Sequence, residues 1–209
     1  MNLSKEPDTV ADLLTALKEV LSPERIQHCI GVRDTSVELY RAWNGDSADI
    51  EILAQAALLH DVAKEMDGEA MRQAIAEGWI VFGNDLLETR GLVHAPLSAV
   101  YAERRFGLQD RDALFAIAYH PTGHPDFGDL GLAIFLADYL EPNRTFENHR
   151  EVLLSLAYKD PVPAALEVAR QKIDIMKLKN RSPHPVSIAF HDHLQQRLEP
   201  EKAAGKMPL

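Results

Sequence analysis

The chain has little of several things, and each shortage excludes something. One cysteine in 209 residues, Cys29, rules out an internal disulfide framework and suits a reducing compartment. Long apolar runs are missing: the longest largely apolar stretch, around Ala54–Leu59, falls well short of the ~20 residues that span a bilayer. Between Met1 and Lys18, the residues Lys5, Glu6, Asp8 and Asp12 break up any basic-then-apolar leader. No signal peptide and a cytoplasmic location are therefore expected. Basic residues are outnumbered, with 22 Lys plus Arg against 32 Asp plus Glu and a net charge of −10. Such a field repels phosphate backbones and anionic lipid heads, so neither nucleic acid nor membrane is an expected partner. Strand signals are nearly absent, Trp79–Phe82 being the best β-like run, and no period of 20 to 50 residues marks a solenoid.

What is present reads as helix after helix. The 46% hydrophobic and 26% charged fractions belong to a globular chain with one sizeable core. Leu13, Leu14, Leu17, Val20 and Leu21 form an amphipathic stripe. Ser22-Pro23 supplies an N-cap and first-turn proline for a helix from Arg25 to Ala42, which Asn44-Gly45-Asp46 stops. Ile50–Ala63 is apolar almost all round and reads as a central helix. Helices are further expected over Glu69–Glu77, Pro96–Phe106, Asp110–Tyr119, Leu130–Leu140, Glu147–Tyr158 and Val162–Lys179. The fold class is all-α.

Nine histidines stand out in so acidic a chain. His60-Asp61 interrupts the most apolar helix, and buried polar groups need partners. A second pair, His191-Asp192, has no comparable context. Around His60-Asp61 lie His28 upstream and His94, His120 and Asp138 downstream, each on or beside its own helix. Imidazole and carboxylate are ligands for divalent metals, and helix bundles build metal sites by converging them from separate helices. Any one of these residues could equally be a hydrogen-bonded core group, but five or six together favour a site. His149, His184, His191 and His193 read as structural or surface groups, and Trp43 and Trp79 as anchors. Arg33 and Asp34 read as a surface ion pair.

The series Leu58-Leu59-His60-Asp61-Val62-Ala63-Lys64, Gly91-Leu92-Val93-His94-Ala95, His120-Pro121-Thr122-Gly123 and Ile134-Phe135-Leu136-Ala137-Asp138-Tyr139-Leu140-Glu141-Pro142-Asn143-Arg144, preceded by His28, resembles the HD-domain phosphohydrolases. Within them it closely resembles the YqeK family, the symmetrical bis(5′-nucleosyl)-tetraphosphatases of bacteria. A late Pro183-His184-Pro185-Val186-Ser187 extends the likeness. The resemblance implies a single HD-domain bundle over residues 25–195, with a helical extension at 1–24 and a flexible tail at 196–209. It implies cleavage of diadenosine tetraphosphate into two ADP. It further implies His28, His60, Asp61 and Asp138 as ligands of a divalent metal, iron in that family, as one or two ions, with manganese or magnesium as alternatives. Lys64, His94, His120, Pro121 and Arg144 become substrate-facing groups, His94 and His120 also completing a second metal position. Asp61 and Lys64 become the catalytic pair.

Hydrolysing a phosphoanhydride requires neutralised phosphate oxygens and an acidified water placed in line with the leaving oxygen, which a metal held by His and Asp provides. Arg144 suits bidentate phosphate recognition and Lys64 a point-charge contact. The family's His-Thr-Thr-Gly-Arg is here His120-Pro121-Thr122-Gly123-His124, which loses a backbone N–H and a fixed cation, so weaker phosphate contacts are expected at this loop. The alternatives are an HD-domain nucleotidase or phosphodiesterase acting on another nucleotide, and a non-catalytic nucleotide-binding module. A homodimer is the expected assembly.

Overall fold

A computed structural model describes residues 10–89, 91–144 and 150–199; among them there are ten α-helices, one 3-10 turn and no strand. In chain order the helices are α1 (Val10–Leu17), α2 (Pro23–Asn44), α3 (Asp49–Leu59) and α4 (Gly68–Ala76), then the 3-10 turn Asn84–Leu86 and α5 (His94–Phe106). They continue as α6 (Arg111–Tyr119), α7 (Asp129–Leu140), α8 (Arg150–Lys159), α9 (Pro161–Leu178) and α10 (Pro185–Leu198). The all-α expectation holds, and the start signals work as chemistry predicts. Ser22 Oγ accepts from Arg25 N at 3.3 Å, and Asp67, Asp110 and Asp160 cap α4, α6 and α9 through their side chains.

Several boundaries differ from expectation. The stripe through Leu21 ends its helix at Leu17, and Val20 is 36% exposed while Leu21 turns back into the core. The central helix stops at Leu59 rather than Ala63. Past that point Val62 N bonds to Leu59 O and Lys64 N to Asp61 O, the tighter turns of a chain leaving its helix. Trp79–Phe82 is irregular, held by side chains: Arg104 lies over the Trp79 ring and Arg111 over Phe82. Glu147 and His149, expected to open a helix, lie outside the described residues, as does most of the C-terminal tail. α10 runs on to Leu198, beyond the expected domain edge at 195.

The core is organised around α7, whose Leu132, Ala133, Ile134, Phe135, Leu136 and Ala137 are all buried. It packs against α2, α6 and α9, while α3 packs against α2 and α6. Phe135 and Phe190 meet edge to face at 5.1 Å and are both fully enclosed. Burying each such ring stabilises by about 1.5–3 kcal/mol. Leu13 and Leu17 place α1 in the same core. Trp43 Nε1–H donates to Ala157 O at 2.7 Å, pinning α2 to α8, so this tryptophan is an anchor. Where α2 passes the end of α7, Gly31 leaves room for a neighbour: a Cβ there would meet Glu141 Oε2 at 2.5 Å.

Candidate metal centre

The early stop of α3 positions the centre. His60 is the residue after the last helical turn, and its Nδ1–H donates to Ala57 O at 2.7 Å. His120 stands in the same relation to α6, with Nδ1–H donating to Ile117 O at 2.8 Å. His28, on α2, donates Nδ1–H to Glu141 Oε1 at 3.1 Å. In each case the backbone or carboxylate fixes the tautomer, and a neutral ring then carries its lone pair on Nε2.

Those lone pairs converge. His28 Nε2 and His60 Nε2 are 3.3 Å apart, and His94 Nε2 and His120 Nε2 are 3.4 Å apart. Two lone pairs at such distances repel unless a proton or a cation lies between them. Asp61 lies between the pairs: Oδ2 is 3.8 Å from His28 Nε2 and 3.7 Å from His60 Nε2, while Oδ1 is 3.1 Å from His94 Nε2 and 3.5 Å from His120 Nε2. Asp138 Oδ1 closes the first half at 3.3 Å from His28 Nε2 and 3.9 Å from His60 Nε2. Two triads, His28–His60–Asp138 and His60–Asp61–His120, have ligand atoms near enough to share one ion each. Asp61 Oδ1 is buried with no hydrogen-bond partner. This orphaned acceptor, ringed by imidazole nitrogens, fits a divalent metal by donor chemistry.

The electrostatics prepare these groups. Burial pushes His60 down to about 3 and His94 down to about 4, keeping both rings neutral and ligand-ready. Burial also opposes charge on His28, but Asp138 and Glu141 outweigh it and raise that group. Burial would raise Asp61 too, yet the surrounding imidazoles hold it well below the carboxylate range. Asp138 is likewise held low, against its burial, by His28, Lys172 and Arg144.

The expected substrate-facing groups surround this centre. Lys64 Nζ is 2.9 Å from His94 Nε2 and 3.6 Å from Asp61 Oδ1. Arg144 donates from Nε to Asp138 O at 3.0 Å and pairs with Asp138 Oδ1 at 2.6 Å. Pro121, Thr122, Asp138, Arg144, Lys172 and His184 are among the residues lining a cavity of about 710 Å³. His184, expected as a structural or surface group, both caps α10 and sits on that wall. His124 turns away onto Phe115 and Tyr119, with ring centroids at 4.8 and 4.6 Å, so the motif's last position serves the scaffold. Arg33 and Asp34 pair on the surface at 2.6 Å, and His191 pairs with Asp192 at 3.0 Å. Neither His191 nor His193 joins the centre.

Three groups escaped the sequence reading. Arg25 donates to Asp61 Oδ2 at 2.8 Å, and nothing in its local sequence announces this. Glu141 orients His28 and also accepts from Asn143 N at 2.7 Å; its place three residues after Asp138 was a usable signal. Lys172 falls on the apolar stripe of α9, and that interruption was its signal.

Comparisons with known proteins bear on this geometry. The HD domain family matches residues 25–143, a stretch holding His28, His60, Asp61, His94, His120 and Asp138. A protein of Halalkalibacterium halodurans named symmetrical bis(5′-nucleosyl)-tetraphosphatase is 34% identical over 186 residues, 87% of this chain and 94% of that one. A protein of Bacillus subtilis with the same name is 36% identical over 183 residues, covering 88% and 96%. The crystal structure of a predicted HD superfamily hydrolase involved in NAD metabolism, from Clostridium acetobutylicum, superposes with a TM-score of 0.78 at 28% identity, covering 90% of this chain and 98% of that one. With the matched stretch carrying the whole histidine and aspartate cluster, the chain belongs to the HD domain family, beside relatives that bear the name symmetrical bis(5′-nucleosyl)-tetraphosphatase.

Proposed function

We propose that the protein hydrolyses diadenosine tetraphosphate symmetrically, giving two ADP, at the centre built around Asp61. The observation that carries this reading is Asp61 set between two pairs of imidazole Nε2 atoms, beside a roomy cavity whose wall bears Arg144. His28, His60, Asp61 and Asp138 would hold a divalent metal, and His94 and His120 with Asp61 Oδ1 would form a second position. When bound, the metal supplies Lewis acidity toward phosphate oxygens and a water acidic enough to react near neutral pH. Four imidazoles with two carboxylates favour a borderline ion, iron before manganese and either before magnesium.

The remaining work falls to side chains. Arg144 offers its guanidinium fork to non-bridging oxygens, exchanging Asp138 for the substrate. Lys64, which donates to His94, would contact a further phosphoryl oxygen as a point charge. Pro121 and Thr122 shape the wall beside the centre. In the reaction, the oxygen of water bonds to an inner phosphorus and the bridging P–O bond between the second and third phosphoryl groups breaks. One ADP leaves as the anion, and the water's proton passes to solvent.

The test is product analysis: the full-length protein is incubated with diadenosine tetraphosphate and iron or manganese, and the nucleotides are separated. ADP as the sole product supports the reading. AMP with ATP would overturn the symmetrical cleavage, and turnover of mononucleotides alone would favour a nucleotidase. Cytoplasmic location and a homodimer extend the proposal, the latter supported by exposed Val152, Leu178 and Ile188 on the last three helices. A monomeric mass in light scattering would remove the dimer.

A further inference from the structure

On α9, Ala165, Val168, Ala169 and Ile173 are buried, and Lys172 falls on the same side at helical spacing. A lysine on such a stripe ordinarily carries its ammonium out to water along its own methylenes. Lys172 does not. Its Nζ is sealed from solvent with no hydrogen-bond acceptor among the described residues, lies 4.5 Å over the Phe135 ring, and stands 3.8 Å from Asp138 Oδ2. An ammonium has three donors, and leaving all of them unused in a buried position is costly. Its charge helps to hold Asp138 low, but at 3.8 Å none of its donors reaches that carboxylate, whose close partner is Arg144 at 2.6 Å. The wall of the cavity carries Arg144, Lys172 and Arg181 against one carboxylate, Asp138. In a chain of net charge −10, this concentrates cations where an anion would sit. Arg144 and Lys172 flank opposite oxygens of the same carboxylate, so a phosphate chain that takes Arg144 from Asp138 arrives beside Lys172.

We propose that Lys172 is a phosphate-binding residue that selects ligands with at least two consecutive phosphoryl groups, its Nζ taking a non-bridging oxygen of the group next to the one held by Arg144. This specificity role rests on the oligophosphate reading given above, but its test needs no turnover. Calorimetry on the full-length protein as purified, titrated with ADP and separately with AMP, compares wild type with Lys172→Met and Lys172→Gln. ADP binding weakens roughly tenfold to a hundredfold in both variants, as expected for a lost hydrogen bond to a charged group. AMP binding changes by much less, and metal content and melting temperature hold. Unchanged ADP affinity in either folded variant overturns the proposal. So does a loss of metal content with ADP affinity intact, which would make Lys172 a counter-ion of Asp138. Should neither variant fold, a crystal structure of the wild type with ADP decides: a phosphate oxygen within hydrogen-bond reach of Lys172 Nζ supports the assignment, and none there overturns it. Failure to release ADP from diadenosine tetraphosphate would instead strike the proposed activity and leave the ADP titration standing.

Discussion

Lys64 Nζ lies 2.9 Å from His94 Nε2, and because an ammonium can only donate, the imidazole nitrogen is the acceptor. His94, held neutral chiefly by burial, thus has its lone pair engaged by a cation. Replacing Lys64 with Met frees that lone pair and removes a charge from the phosphate side. The expected result is a fall in kcat of about a hundredfold to a thousandfold with unchanged metal content, by analogy with losing one transition-state donor. Steady-state kinetics beside elemental analysis would check it.

Asp61→Asn keeps the shape and removes the charge that faces both halves of the centre. Metal content should drop below one ion per chain, and activity should fall by more than about a hundredfold, since even outer partners of ligands cost 10–100-fold when lost. Retained turnover would remove Asp61 from the mechanism.

Glu141→Gln tests the support of a ligand rather than a ligand. The carboxylate accepts from His28 Nδ1 at 3.1 Å and from Asn143 N at 2.7 Å. Metal affinity should weaken roughly tenfold to a hundredfold while excess metal restores kcat. Metal titrations of activity would separate this from outright loss of the site.

Much of this architecture was legible in advance because caps and stripes are local. Ser22, Asp110 and Asp160 start their helices through bonds spanning two or three residues. The histidine and aspartate cluster was legible through its motifs. Arg25, Glu141 and Lys172 were harder, because each acts on a partner that only tertiary packing brings near. The end of α3 at Leu59 was missed for a related reason: the apolar pattern continues through Val62 and Ala63, which stay buried in turns.

Acid should destabilise the metal-free protein through its histidines. The fold lowers His60 from 6.5 to about 3 and His94 from 6.5 to about 4, so their stabilisation is complete above pH 6.5 and shrinks as pH falls toward those values. At pH 5 each accounts for a loss on the order of 2 kcal/mol. His28 acts oppositely: its raised value stabilises fully below pH 6.5 and less as pH climbs through the folded value. Thermal melts of chelator-treated protein should therefore show a lower Tm at pH 5 than at pH 7. Equal Tm values would show that the buried rings are not held neutral.

Gly123 has φ +70°, and a Cβ there would strike the Phe190 ring. Gly123→Ala combines left-handed strain with overpacking, and should cost about 2–5 kcal/mol. Differential scanning calorimetry would detect it, and a neutral result would mean that Phe190 and α10 yield freely.

His28 and Glu141 meet at 3.1 Å although 113 positions separate them along the chain. The centre is thus a closure of distant sequence, assembled only when α7 has docked against α2. A chain ending just before α7 would contain His28, His60, Asp61, His94 and His120 yet lack Asp138 and the carboxylate that aims His28. The full set of candidate ligands therefore exists only in a chain that has been made through α7 and folded, since a shorter one has no finished cage.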